Sequence, residues 1–238
     1  MSATAENQRR EAAMSTFTGI LAELTAVSPS RIDVTLLTHP STASVCWQER
    51  KDTEGRTVAL IVQLYLPALL TGAEGEASSR DADALAGYWV HEACHVIYTD
   101  RAAWGRACAR SVEFRRVVNA IEDVRIERLL ITSGKAPQAA MLLQEVTERS
   151  VWTGPATPET VNKHHALAAV LAYLGRATCN GFALSLADTM RAALNPENRA
   201  TVDQVLAAIP ALTSTQDVVD LAASIFDRAR QARFSAKN

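Results

Sequence analysis

Hydrophobic and polar residues alternate along two stretches near the N-terminus of the chain and follow a helical spacing over most of the remainder. Residues 32–36 and 43–47 show the two-residue period of a half-buried strand. Residues 57–66 form a third, nearly continuous apolar run, and the segment 52–55 before it has the Asp and Gly content of a turn. The pattern therefore predicts a small antiparallel or mixed sheet whose last two strands form a hairpin.

Helical periodicity dominates before and after this sheet. A first helix is predicted at 6–26, and nearly all of the chain after residue 81 follows the helical period. Proline residues lie at or near the breaks, and the small polar segment 71–79 predicts a loop. We therefore expect an α+β fold that is mostly α, with a helical C-terminal region. The predicted helices after the sheet span residues 81–99, 111–133, 136–150, 159–176, 182–194, 198–209 and 215–233.

His91, Glu92 and His95 form an HExxH motif within the predicted helix at 81–99. Because residues i and i+4 lie on one face of a helix, the two imidazoles can bind one metal ion together. A catalytic Zn²⁺ usually has three protein ligands and one position left for water. The glutamate that follows the first histidine is the general base of zinc peptidases with this motif. The motif therefore predicts a Zn²⁺ site with Glu92 as its catalytic residue.

The third metal ligand is expected from an acidic cluster at residues 119–127, on the predicted helix at 111–133. Glu122 and Asp123 are adjacent there, and either carboxylate could complete the set of ligands. We favour Glu122, because its longer side chain reaches a metal from a neighbouring helix more easily, and Asp123 is the alternative. The carboxylate that does not bind the metal could accept the second N–H of a ligand histidine.

The residues around this carboxylate pair predict an outer layer of support. Asn119, Asp123 and Glu127 follow one another at intervals of four and form one polar stripe of the helix. Arg125 is expected to form an ion pair with Glu127. Without the HExxH motif upstream, the same residues would be read as a solvated helix face with i, i+4 charge pairing.

Four further side chains are candidates for holding the oxyanion of a tetrahedral intermediate. Tyr88 and Tyr98 lie on the same helical stripe as the two histidines of the motif, and each carries a hydroxyl group that can donate a hydrogen bond. His164 and His165 open the predicted helix at 159–176 and could serve in the same way. For each of the four, a capping or surface role is the alternative.

Composition argues against a nucleic-acid-binding, membrane-spanning or disulfide-rich protein. A formal net charge of −2 over 238 residues gives no reason to expect binding to nucleic acid or to a membrane surface. The chain has no apolar run of eighteen residues and no apolar leader near its N-terminus, so a cytoplasmic location without a membrane span is expected. Its four cysteines are scattered and form no CxxC pair, which argues against a structural zinc site and a disulfide framework.

The segments HEACHVIYTD and NAIEDVRIE resemble the paired motifs of the CobT-type cobaltochelatase subunit family and its phage and bacterial metallopeptidase-like relatives. The resemblance covers residues 80–135 and, weakly, the helices that follow. It implies a zincin-like fold in which His91, His95 and Glu122 bind the metal and Glu92 is the base. Many members also carry a von Willebrand A domain with a D-x-S-x-S loop. This sequence has no such loop, so we expect a form without that domain.

Two functions follow as expectations. The first is a zinc-dependent metallopeptidase that hydrolyses a peptide or protein substrate; in zincins an edge strand pairs with the extended peptide, and the strands at Val45 and Val62 are candidates. The second is a non-catalytic zinc-binding assembly protein that partners an AAA+ ATPase, as chelatase relatives do. We expect residues 1–135 to form the zincin-like region and residues 136–238 to form a helical subdomain that packs on it.

Overall fold

The computed structural model describes residues 3–39, 44–67 and 79–235. They form a mostly helical α+β structure with one three-stranded mixed sheet, which confirms the predicted class. The elements in chain order are α1 (Ala3–Thr25), β1 (Ile32–His39), β2 (Ser44–Lys51), β3 (Thr57–Pro67), α2 (Ser79–Tyr98), α3 (Arg101–Cys108), α4 (Val112–Ser133), α5 (Ala139–Ser150), α6 (Pro158–Val161), α7 (Leu167–Cys179), α8 (Ala187–Ala193), α9 (Pro196–Ala208) and α10 (Thr215–Ser235).

The contacts within the chain define two compact units. The first contains residues 1–97 and 134–145, and the second contains residues 98–133 and 146–238. This division rests on contacts alone, so the functional boundary that we expected after residue 135 stays a prediction.

The sheet of the first unit has the strand order β1-β3-β2. β1 runs parallel to β3, and β2 runs antiparallel to it. The predicted hairpin is confirmed, because β2 and β3 are joined by a tight turn in which the Asp52 carboxylate accepts hydrogen bonds from the backbone N–H groups of Glu54 and Arg56, both at 2.9 Å. Gly55 has a φ of 78°, which glycine adopts at little cost.

The strand β3 lies in the middle of the sheet, and this decides between the two candidate edge strands. Val62 pairs with Val34 on one side and with Trp47 on the other. The expectation that the Val62 strand could accept an extended peptide is therefore wrong, because both of its edges are already hydrogen-bonded. The other candidate, the Val45 strand β2, pairs on one side only among the described strands, so it remains the candidate.

The helix α1 packs against β1, an edge strand of the sheet. Leu60, Val62 and Leu64 alternate as buried residues along β3, whereas Ile61 between them is 53% exposed. Phe17 and Leu21 lie one turn apart on α1 and are fully buried, and α1 contacts β1. The buried residues of α1 and those of one face of β3 thus belong to the hydrophobic core of the first unit.

The second unit is built around α4, which contacts α3, α7 and α10. Every residue from Ala120 to Glu127 is buried, although four of these eight are charged. The helix α7 packs tightly against α4 at Gly175. A Cβ atom added to Gly175 would lie 2.7 Å from Val124 Cγ2, so only glycine permits this spacing. The close approach brings the residue after Gly175, Arg176, to the charged part of α4.

The helix boundaries differ from prediction at three places. The helix α3 was not predicted; the Asp100 side chain caps its start by accepting from the N–H groups of Ala102 and Ala103. The predicted helix at 159–176 is broken into α6, a short 3-10 turn and α7, and the predicted helix at 182–194 begins only at Ala187. The predicted loop at 71–79 lies outside the described residues, apart from Ser79, which begins α2.

None of the helices in the described part of the chain has the length and apolar character needed to cross a bilayer. The cytoplasmic location stays a prediction.

Candidate metal centre

The two histidines of the HExxH motif lie one turn apart on α2, as their spacing predicts. Their ring centroids are 5.0 Å apart, and the ring planes are inclined by 88°. Both side chains are half-buried, whereas Glu92 between them is only 3% exposed. Ala93, on the opposite side of α2, and Cys94, which lies beside His91 on the helix surface, are completely buried, which fixes the rotation of the helix about its axis.

The carboxylate that groups with these two histidines as a possible metal ligand is that of Asp123. One ligand atom from each of His91, His95 and Asp123 can be chosen such that all three atoms lie within 4.8 Å of one another. Imidazole nitrogens and carboxylate oxygens are ligands that Zn²⁺ accepts, so these three groups could hold such an ion.

Glu122, the carboxylate that we favoured from the sequence, is held elsewhere. It is completely buried, and its Oε1 accepts from Arg125 Nη2 at 2.7 Å, Thr215 Oγ1 at 2.8 Å and Thr99 Oγ1 at 2.9 Å. Its Oε2 accepts from Arg125 Nε at 2.8 Å. Neighbouring residues of a helix project about 100° apart, so the Glu122 and Asp123 carboxylates leave α4 in different directions. Arg125 and the two threonines fix Glu122 on the other side.

Arg125 also ends the motif helix. Its Nη2 donates to the carbonyl oxygen of Tyr98, the last residue of α2, at 2.8 Å, and its Nη1 donates to the carbonyl oxygen of Thr213 at 3.3 Å. The last carbonyl groups of a helix have no partner within that helix, so this bond satisfies one of them. In place of the expected pair of Arg125 with Glu127, Arg125 thus pairs with Glu122 and caps α2.

Asp123 belongs to a second buried network. Asn119 Nδ2 donates to Asp123 Oδ2 at 2.9 Å, which agrees with their i, i+4 spacing. Arg176 of α7 lies with its Nη2 at 3.6 Å from the same oxygen and binds both oxygens of Glu127, at 2.6 and 2.9 Å. Burial would lower the pKa of Arg176, but the charges and hydrogen bonds of Glu127 and Asp123 raise its pKa above the ordinary value.

The four oxyanion candidates lie at different places. Tyr88 and Tyr98 are half-buried on α2, the helix that carries the motif. His165 is exposed and lines a cavity with Glu113, Arg116, Val117, Leu167, Ala168 and Phe226.

The α4 residues of this cavity precede Asp123 by six to ten positions, or about 9–15 Å along the helix. His165 is therefore not among the residues that we assign to the metal centre. The side chain of His164 lies outside the described residues.

Sequence reasoning missed Arg176 and the two threonines that bind Glu122. Arg176 had a usable signal, because it is the only charged residue in the apolar segment from Leu167 to Cys179. A charge on a helix that is apolar on nearly all sides must find a counter-charge in the interior. Thr99 and Thr215 had no such signal, since buried and exposed threonines look alike in a sequence.

No family model, curated protein or solved structure matches the chain. The resemblance to CobT-type subunits and the zincin-like character of the fold therefore stay predictions.

Proposed function

We propose that the chain is a zinc-dependent metallopeptidase in which His91, His95 and Asp123 bind one Zn²⁺. The observation that supports this most strongly is the convergence of three ligand atoms within 4.8 Å, two of them from an HExxH motif. Two imidazole nitrogens and one carboxylate oxygen match the ligands of catalytic zinc sites that keep a position open for water. The assignment places Asp123, and not Glu122, as the third ligand.

When bound, Zn²⁺ would lower the pKa of a water molecule at the open position and offset negative charge on the substrate oxygen. Glu92 would serve as the general base that takes a proton from the attacking water and passes it to the leaving amine of the cleaved peptide. Its near-complete burial supports this role, because a carboxylate held in a fixed position and shielded from solvent is an effective general base.

Glu122 and Arg125 have a different task in this proposal. They fix the end of α2 through the carbonyl group of Tyr98, three residues after His95. A ligand histidine needs a rigid helix beneath it, because small displacements of a ligand weaken metal binding. In this proposal Asp123 binds the metal, and Glu122 stabilises the end of the helix that carries the two histidines.

The experiment that tests the proposal combines metal analysis with one substitution. Wild-type protein purified without added metal should contain about one zinc ion per chain, and the His91→Ala, His95→Ala double variant should contain none. Glu92→Gln should keep both its zinc and its stability, and should lose peptide hydrolysis by roughly 10²–10⁴-fold on a diverse peptide library. Glu11→Gln, the same change at an exposed residue of α1, is the matched control and should keep full activity.

Equal zinc content in the wild type and the double-histidine variant would exclude the metal site. Equal hydrolysis by wild type and Glu92→Gln would exclude the assigned base. A wild-type protein that holds zinc but cleaves no peptide would instead favour the assembly function with an AAA+ ATPase partner.

A further inference from the structure

Arg176 occupies the centre of a buried polar network that ends at the proposed metal ligand. The residue is 4% exposed and lies near the end of α7. Its guanidinium group contacts two carboxylates of α4, and these differ in distance by 1.0 Å: Nη2 is 2.6 Å from Glu127 Oε1 and 3.6 Å from Asp123 Oδ2. We propose that Arg176 is a positioning residue that fixes the Asp123 carboxylate for the metal; this inference rests on the proposed function.

The contacts of Arg176 with Glu127 make its position rigid. Two N–H groups of the guanidinium donate to the two oxygens of Glu127, in the parallel geometry that fixes both distance and direction. Asn180 Nδ2 also donates to Glu127 Oε2 at 3.3 Å, and Arg176 Nη1 approaches the carbonyl oxygen of Ala172 at 3.5 Å. Few rotations remain open to a guanidinium that is held in this way.

The contact with Asp123 is of a different kind. At 3.6 Å it is an ion pair and not a hydrogen bond, while Asn119 makes the hydrogen bond to the same oxygen. Asp123 Oδ2 is therefore held from two sides, by an amide of its own helix and by a cation of α7. A carboxylate held through one oxygen presents the other in a defined direction, which is how outer groups orient metal ligands.

Arg176 has two opposite effects on the binding of a cation by Asp123: its charge opposes binding, and its contact with the carboxylate favours binding. The positive charge of Arg176 would repel the cation, but Glu127 offsets that charge at 2.6 and 2.9 Å. The Arg176–Glu127 pair carries little net charge, so its main effect on Asp123 is to fix the position of the carboxylate. Loss of the pair should therefore weaken metal binding through disorder of Asp123, rather than strengthen it through relief of repulsion.

The test removes the pair without changing the net charge. In Arg176→Met, Glu127→Leu the two charged groups are replaced by apolar side chains, an exchange that buried ion pairs often tolerate without loss of stability. Zn²⁺ affinity is measured by competition with a chromophoric chelator, and the visible absorption of the Co²⁺-loaded protein reports the ligand arrangement. We expect a roughly 10–100-fold loss of Zn²⁺ affinity and an altered Co²⁺ spectrum.

Tyr173→Phe is the control for loss of a buried polar contact of α7 outside the Arg176 network. Tyr173 lies one turn before Arg176, is completely buried, and donates from its hydroxyl to Glu148 at 2.8 Å. Its substitution should lower stability without changing Zn²⁺ affinity or the Co²⁺ spectrum. Arg176→Lys is a second probe, because lysine keeps the charge but lacks the planar fork, and it should also lower the affinity.

Unchanged Zn²⁺ affinity in Arg176→Lys overturns the inference, whether or not the double variant folds. Equal losses in Tyr173→Phe and in the Arg176 variants also overturn it, since the effect would then be one of stability. If the wild type binds Zn²⁺ and only the histidine variants lose it, the inference fails and the proposed function stands. If the wild type binds no Zn²⁺, both fail.

Discussion

The tight contact between α7 and α4 at Gly175 makes Gly175→Ala a demanding test of the packing described above. The added methyl carbon would lie 2.7 Å from Val124 Cγ2 and 3.3 Å from Val124 Cγ1. Carbon atoms in contact prefer about 3.5–4.0 Å, so about 1 Å of separation must be found. Val124 is completely buried, and a valine in a helix has one strongly preferred χ1 angle, so it cannot turn away.

Two opposing contributions decide the size of the effect. Overpacking of a buried contact costs about 1–3 kcal/mol, whereas alanine in place of glycine inside a helix gains about 1 kcal/mol. Because the clash involves a rigid side chain between two helices, we expect the upper part of that range and a net loss of about 1–2 kcal/mol. For a chain of this length, the loss corresponds to a fall in Tm of about 2–8 °C.

Two comparisons in urea unfolding experiments make this prediction specific. Gly105→Ala on α3 has no atom within 4 Å of the added methyl group, so it should stabilise the protein by up to about 1 kcal/mol. Val124→Ala should partly rescue Gly175→Ala, with a favourable coupling of about 0.5–3 kcal/mol in a double-mutant cycle. Equal stabilisation by Gly175→Ala and Gly105→Ala would refute the close approach of the two helices.

Two further predictions concern the acidic residues of the second unit. Metal analysis should show that Asp123→Asn loses Zn²⁺ and that Glu122→Gln keeps it. Urea unfolding should show that Glu122→Gln loses about 3–5 kcal/mol of stability, because its buried ion pair with Arg125 is broken. The reverse pattern of metal content would indicate that Glu122 is the third ligand. Asp217→Asn should destabilise the protein by about 1 kcal/mol at neutral pH, because the Asp217 carboxylate accepts from the N–H groups of Thr213 and Ser214 at the start of α10. The same bonds lower the pKa of Asp217 from 3.8 to about 2, so its stabilising effect is fully present above about pH 4. The difference between wild type and Asp217→Asn should therefore shrink as the pH falls towards 2, and a difference that stays constant over this range would contradict the assignment.

The elements of the fold were largely predictable from the sequence because periodicity is a local property. The hairpin turn and the helix that carries HExxH could be read from the chain in this way. The helix α3 was not predicted, since its apolar stripe extends over only two turns, at Ala103 and Ala107, and its start depends on the Asp100 cap. Asn162 lies at the end of α6, and its Nδ2 donates to the carbonyl oxygens of Pro158 and of Ala193, which is 31 positions away, so no local pattern could have shown this contact.

The sequence could predict the two histidines of the candidate site, because their spacing on a helix determines their arrangement, but it could not decide which carboxylate accompanies them. The spacing of His91 and His95 brings their imidazoles together on any α-helix. The choice between Glu122 and Asp123 depends on what surrounds each of them, and those neighbours come from distant parts of the chain. Arg176 lies 49 positions after its partner Glu127, and no local pattern could link the two.

The hydrogen bonds that Glu122 accepts have a consequence for the folding of the chain. Glu122 accepts from Thr99, 23 positions earlier, and from Thr215, 93 positions later. A carboxylate can leave water at acceptable cost only when such donors are already near. The middle of α4 and the beginning of α10 should therefore become ordered in one cooperative event. A chain trimmed before Thr215 would lack one of these donors, so the shortest independently folding form that contains the HExxH helix should extend into α10.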